Sequence, residues 1–336
     1  TLIGGSVSGS GNIIANSIGG ILLRTNVVDT VIQGNFIGTD ATGTLDLGNL
    51  GDGILIESQI TGDLACTNNS IGGLLDGQGN TIRFNDYGVR IGGGPNQPDI
   101  LNPILGNSIF LNTAGGIDLY DGGNNLQDAP IINSATICQN DAVLTVTVTA
   151  PENPVASNFR IEIFVNSVDN SPITEGELFV GAFNSVPSGA TVTQSFVVPL
   201  SVLVGMWVSG TATNFNNVGN TLGDTSEYSS NVLIQPATPV TVSLTAAPSA
   251  FISGDTSTLT VNFTGAAPLN AVWSDNVIQN NVVSPLMRTV FPSFSTQYSV
   301  TITSAEGCSD SATVFLTVEQ EDPLLSALTS IYCSDV

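Results

Sequence analysis

Gly79-Asn80-Thr81-Ile82-Arg83-Phe84-Asn85-Asp86-Tyr87-Gly88-Val89-Arg90-Ile91 holds two elements that return through the first part of the chain. The first, Gly-Asn-x-Ile, occurs at Gly11–Ile14, Gly34–Ile37, Gly79–Ile82 and Gly106–Ile109. The second is glycine followed by apolar-x-apolar: Gly20-Ile21-Leu22-Leu23, Gly53-Ile54-Leu55-Ile56, Gly88-Val89-Arg90-Ile91 and Gly116-Ile117-Asp118-Leu119. Adjacent Gly-Asn steps lie 23 residues apart at the start and 27 later, with one diverged repeat between them. Ile3-Gly4-Gly5 likewise returns as Ile71-Gly72-Gly73.

Short β-branched runs cut by Gly and Asn at this spacing fit a parallel β-helix. Each rung turns its apolar residues inward onto the rung below. Gly and Asn occupy the turns because both accept left-handed backbone angles, and stacked Asn side chains can ladder their amides. An α-helix is excluded, since no apolar period of 3.6 survives this glycine density. The regular Ile, Val and Leu placement also argues against a flexible glycine-rich linker.

Working outward, the composition changes near Asp121–Pro130. Of 36 glycines, 26 fall within residues 1–130, and both tryptophans, Trp207 and Trp273, come later. Leu144, Val146 and Val148 then alternate with Thr145, Thr147 and Thr149, the pattern of a half-buried strand. Phe159–Val165, Leu178–Ala182, Ser195–Leu200, Met206–Thr213 and Asn231–Ile234 are further candidates. Such strand density suits an Ig-like sandwich. After Pro236–Pro239 a third module begins, with alternation at Leu259-Val261-Phe263, Tyr298-Val300-Ile302 and Val314-Leu316-Val318. The expected organisation is all-β: a right-handed parallel β-helix over 1–130, then Ig-like β-sandwiches over 131–235 and 236–319. Residues 320–336 read as an acidic connector or the start of a further module.

The 336-residue chain has 28 Asp and Glu against five arginines, with no lysine and no histidine, for a formal net charge of -23. Histidine-based triads, HExxH zinc sites, P-loops and Schiff-base chemistry are thereby excluded. Nucleic acid is excluded as a partner because counterion release needs a basic face. With 41% apolar residues the chain reads as folded despite its charge. It contains no apolar run long enough to span a membrane.

Gly34-Asn35-Phe36-Ile37-Gly38-Thr39-Asp40-Ala41-Thr42-Gly43, with Gly48-Asn49 and Gly51-Asp52-Gly53-Ile54, resembles the repeat of bacterial right-handed parallel β-helix surface proteins. Gly116-Ile117-Asp118-Leu119 followed by Asn124–Pro130 is similar to the segment that, in such proteins, closes the solenoid and leads into an Ig-like module. Ile161-Glu162-Ile163-Phe164, Gly176-Glu177, Thr211-Ala212-Thr213 and Asp224–Ser229 resemble that module. Ser253–Leu259 and Thr296–Thr301 resemble the PKD/Ig-like repeats of very large Bacteroidota-type adhesins. The resemblance implies secretion, exposure on the cell surface, and adhesive or structural work; fold does not fix activity.

Asp40, Asp46, Asp52 and Asp118 are the carboxylates that a polysaccharide-cleaving site would use, since glycoside hydrolysis needs a pair at a set separation. Asp is also a favoured turn residue, and the turn-capping role is preferred. Calcium fits better than catalysis, through Asp118, Asp121, Asn124 and Asn125 around Gly122 and Gly123, with solvated turns as the preferred reading of this cluster and the next. Asp224 and Glu227, with Asn217 and Asn220, form a second candidate set. Cys66, Cys138, Cys308 and Cys333 lie far apart, which leaves their pairing open. Cys66 reads as a buried rung residue and Cys333 as a thiol for a partner beyond the chain. Core positions are expected for both tryptophans.

Thr1 begins inside a rung, and a bare solenoid end exposes strand edges, so the chain requires upstream sequence, a capping partner or another copy of itself. Residues 320–336 are a conceivable strand donor. The expected function is that of a non-enzymatic extracellular surface protein, an adhesin stalk or a filament or sheath subunit. Its partners would be copies of itself, other surface proteins or surface glycans. The competing expectation is a polysaccharide-binding or polysaccharide-cleaving protein.

Overall fold

The computed structural model describes residues 1–58, 64–94, 97–153, 156–169, 171–216 and 221–320. Cys333, Asn217, Asn220 and nearly all of the 320–336 segment lie outside the described residues. Among the described residues every element but one is a β-strand; the exception is a 3-10 turn, Gly123–Leu126. Among the described residues no helix is long and apolar enough to cross a membrane. Contacts divide the chain into two units. One comprises Thr1–Ile137 with Leu144–Gln235, the other Cys138–Val143 with Pro236–Val336.

In the first unit the repeats build three four-stranded parallel sheets, each taking one strand from successive passes of the chain. Leu2–Gly4, Val31–Gln33, Ser70–Gly72 and Ile104–Leu105 form one, with Ile3, Ile32, Ile71 and Ile104 in register. Ile13–Ile14, Phe36–Ile37, Thr81–Arg83 and Ser108–Phe110 form the second, stacking Ile14, Ile37, Ile82 and Ile109. The third joins Ile21–Arg24, Ile54–Glu57, Tyr87–Ile91 and Gly115–Leu119, stacking Ile21, Ile54, Val89 and Ile117. The isoleucine of each Gly-Asn-x-Ile element thus occupies the inner column of the second sheet. Ile32, Ile37, Ile54, Ile71, Ile82 and Ile109 are wholly buried in one shared core. Burying each such side chain contributes on the order of 2 kcal/mol.

Asparagines run along the stack as three hydrogen-bonded ladders. Asn12 donates through its backbone N–H and Nδ2 to Asn35 Oδ1; Asn35 repeats this on Asn80, and Asn80 on Asn107. A second ladder joins Asn49, Asn85 and Asn112, and a third joins Asn69, Asn102 and Asn124. Each amide satisfies turn backbone that the parallel sheets leave unpaired. Glycine is required beside these ladders. At Gly72, with φ +81°, an added Cβ would lie 2.0 Å from the Leu105 carbonyl oxygen.

The rest of the first unit is a two-sheet sandwich. Ile131–Cys138, Val143–Thr149, Thr191–Val197 and Gln235–Pro236 form one sheet. The other contains Leu178–Pro187, Asn158–Asn166, Trp207–Asn216 and Thr221–Thr225, with Val232–Leu233 pairing onto Trp207–Asn216. The alternating Leu144, Val146 and Val148 meet Phe159, Ile161, Ile163 and Val165 in the core between them. Trp207, at the first position of its strand and opposite Leu233, is half-buried rather than in that core.

The second unit is also built from two sheets. Thr241–Ala247, Ser257–Thr264 and Leu286–Val290 make an antiparallel three-stranded sheet. Ala250–Ile252, Ser309–Glu319, Thr296–Ser304, Leu269–Trp273 and Ile278–Gln279 make the other, antiparallel except for its first pair. Trp273 is buried in this core, as expected, and donates from Nε1 to Gln279 Oε1 at 2.9 Å. Cys138 and Cys308, whose pairing the sequence leaves open, form a disulfide in this unit. Cys66 is a free thiol buried in the stack.

Candidate functional site: the closed end of the stack

The central strand Asn158–Asn166 is buried on both faces, because it serves two cores at once. Ile161, Ile163 and Val165 face the sandwich interior. On the alternate positions, Glu162, Phe164 and Asn166 are almost inaccessible, and Phe164 joins the hydrophobic core of the stack together with Tyr228. The two rings meet edge to face at 5.3 Å between centroids. Gly116 and Gly176 make room for Tyr228: a Cβ at either would come within 2.8 Å of its ring.

Backbone and carboxylates complete the closure. Ile109 and Gly176 exchange two backbone hydrogen bonds in an antiparallel bridge, and Gly116 donates to the Thr174 carbonyl. The last edges of two sheets are thereby covered, which removes the liability of an open edge. Glu162 Oε2 accepts from the Gly106 N–H at 2.7 Å. Glu175 ends the second ladder, accepting the Leu111 and Asn112 N–H groups at 2.9 and 2.7 Å. Thr225 ends the third: its carbonyl accepts from Asn124 Nδ2, and its hydroxyl from the Ile104 N–H.

Of the residues assigned to calcium, Asn124, Asp224 and Glu227 are part of this closure. Asp224 Oδ1 accepts the Leu101 N–H at 2.6 Å and Oδ2 accepts Asn125 Nδ2 at 2.7 Å. Glu227 Oε1 accepts the Leu119 N–H, and Asn124 Oδ1 accepts the Asn102 N–H. Asp118 pairs with Arg90 at 2.7 Å, while Asp121 is exposed in a left-handed turn at φ 46°. The two sets, distant in sequence, come together through protein N–H donors. Among the described residues, the one cluster of three Cys, Asp or Glu ligand atoms is Cys138, Asp141 and Cys308, where the cysteines are already a disulfide.

Of the remaining sequence candidates, Asp40 and Asp46 serve one turn, and Asp52 lies close enough to Arg90 and Asp118 to feel both charges. Asp40 accepts from the Thr44 and Leu45 N–H groups and the Thr42 hydroxyl, and Asp46 from the Gly48 N–H. Those are turn caps. Asp52 accepts the Tyr87 N–H. Beside it Arg90 lies over both Tyr87 and Tyr120, at 5.1 and 4.4 Å from the ring centroids. Tyr120 also packs against Gly92. A sugar stacking on these rings would have to displace the guanidinium.

Glu162, Glu175, Phe164 and Tyr228 were not among the candidate site residues. One signal was present: Glu162 is a carboxylate inside the otherwise apolar run Ile161–Val165. Burial pushes its carboxyl above the ordinary value of 4.5, against the pull of Arg160 at 3.0 Å. Burial also raises Glu227, Asp52 and Asp99. Above the ordinary carboxylate range the folded protein therefore still holds protons that the unfolded chain has released, so the stability these groups allow is lost as pH rises. Exposed Asp40 and Asp169 act oppositely. Held low by the Leu45 N–H and the Ser171 hydroxyl respectively, they weaken the fold only below that range. The melting temperature is expected to be higher near about pH 5 than near about pH 8. Thermal melts across that interval check this, and a steady rise to the alkaline end would contradict it.

No protein-family profile and no curated protein matches the chain. Among solved structures it is similar to the amphioxus IgVJ-C2 molecule, at 11% identity and a TM-score of 0.21, over 52% of this chain and 96% of that one. It is similar to a Ca2+-stabilized adhesin with which an Antarctic bacterium binds ice, at 16% identity and a TM-score of 0.25. That match covers 60% of this chain and 51% of the other. A third similarity is to the C-terminal 282-residue fragment of intimin bound to the intimin-binding domain of its translocated receptor. There identity is 10% and the TM-score 0.21, over 56% of this chain and 63% of that one. The chain thus spans about half of the ice-binding adhesin structure and under two thirds of the intimin fragment.

Proposed function

We propose that this chain is a non-enzymatic structural segment of an extracellular surface protein, acting as the stalk of an adhesin. In this reading residues 1–130 are a parallel β-helix, and 131–235 and 236–319 are Ig-like modules. The observation that carries it is the closure by Phe164, Tyr228, Glu162 and Glu175, which joins the stack to the sandwich through a shared core and continuous hydrogen bonds. A stalk must transmit load without a soft joint. Two domains tied only by a flexible linker would yield there first.

Calcium enters this proposal through Asp118, Asp121, Asn124, Asp224 and Glu227 only as a stabiliser that would have to draw these residues together, since their carboxylates do not cluster as three ligands in the folded chain. Calorimetry of the whole chain, with and without a chelator, tests both points. The expected result is that stack and first sandwich unfold in one cooperative transition. Separate melting of the stack would overturn the stalk reading, and a transition unmoved by chelation would remove calcium from it.

A further inference from the structure

The Cys138–Cys308 disulfide spans 170 positions, and its place in the chain has a mechanical consequence. Cys138 ends the strand Ile131–Cys138, directly after the stack and the first strand of its sandwich. Cys308 lies one residue before Ser309–Glu319, the last strand described. The covalent path from Thr1 to Glu319 can therefore run through the sulfur bridge, leaving out residues 139–307. That loop contains the strands from Val143–Thr149 to Thr296–Ser304, nearly all of both sandwiches.

Noncovalent contacts hold the same junction. Asp141, in the short segment after Cys138, accepts the Ser309 N–H at 3.1 Å and the Ser309 hydroxyl at 2.8 Å. Gly307 turns at φ +78°, where an added Cβ would come within 2.4 Å of Val143. The Thr238 N–H donates to Glu306 at 2.8 Å, tying the start of the second unit to the same turn. The bridge is buried against the core of this unit, with Cys308 2% exposed, so a reductant reaches it only when the surroundings open.

We propose that this disulfide is a force bypass: under tension along the chain it carries the load past both sandwiches and caps how far the protein extends. This rests on the stalk reading for its use, though the bypass is a property of the covalent topology alone. With the bridge intact, tension between the ends can draw out only residues 1–138 and 308 onward. With it reduced, residues 139–307 enter the path, and the 170-position separation adds roughly 600 Å of contour at about 3.5 Å per residue.

The test is single-molecule pulling of the whole chain by handles at its two ends, in a Cys333→Ser background, with and without dithiothreitol. The dithiol supplies two electrons and two protons, leaving Cys138 and Cys308 as thiols and itself as a cyclic disulfide. Reduction, and separately Cys308→Ser without reductant, should each lengthen the fully extended molecule by roughly 600 Å. An unchanged extension would overturn the bypass. The stalk reading fails differently in the same traces, by the stack separating from the first sandwich at low force whether or not the extra length appears.

Discussion

Asn80→Leu is expected to destabilise the first unit by about 2–9 kcal/mol, from two to three unsatisfied buried groups at about 1–3 kcal/mol each. Asn80 sits mid-ladder and is 1% exposed. Its Oδ1 accepts from the Asn35 backbone N–H and Nδ2 at 3.0 and 2.9 Å. Its Nδ2 donates to the Ile32 carbonyl and to Asn107 Oδ1, both at 2.8 Å. Leucine keeps the branched outline but is bulkier and returns none of these bonds, in a site closed to solvent. Such a loss is comparable to the whole stability of many domains. Asn12→Leu should cost far less, under about 1 kcal/mol, because Asn12 is exposed and only donates to the ladder. Urea unfolding of both variants decides the matter. Equal losses at the two positions would mean that the amides do not act as a ladder.

Tyr228→Ala is expected to split the unfolding of the first unit in two. The side chain is 5% exposed and lies in the core of the stack, though it belongs to the sandwich sequence. Removing it leaves a cavity beside Phe164 and over Gly116, at a cost of about 3–5 kcal/mol. That loss falls where stack and sandwich share a core, so it weakens their coupling more than either part alone. Tyr228→Phe, which keeps the ring, should retain a single transition. Calorimetry of both variants reads the result. One sharp transition in Tyr228→Ala would show that the carboxylate contacts couple the two parts without the aromatic plug.

The repeat was legible because a stack answers to its own period. An inner column needs one apolar residue per pass, so Ile14, Ile37, Ile82 and Ile109 recur behind the same Gly-Asn step. The amide ladder followed from the same recurrence. Strand limits were less legible: Leu178 continues to Pro187 rather than stopping at Ala182, and the expected strand at Ser195 begins at Thr191. The second extension is mostly exposed and polar, so hydropathy has little to say there, whereas the first crosses a register shift that turns both Phe183 and Val186 into the core and breaks the alternation of a regular strand.

Composition and spacing alone determined that this chain is built from strands, that its first part repeats, and that histidine and lysine chemistry is closed to it. These are local or periodic properties, fixed by which residues tolerate a turn or fill an inner column. Only the tertiary structure decided how the stack is closed and which cysteines pair. Glu175 reaches Asn112 across 63 residues, Asp224 reaches Leu101 across 123, and Cys138 reaches Cys308 across 170. No period links such positions. A carboxylate that caps a ladder and one that caps a solvent-facing turn look alike until the chain is folded, because burial and the direction of the nearest N–H groups separate them.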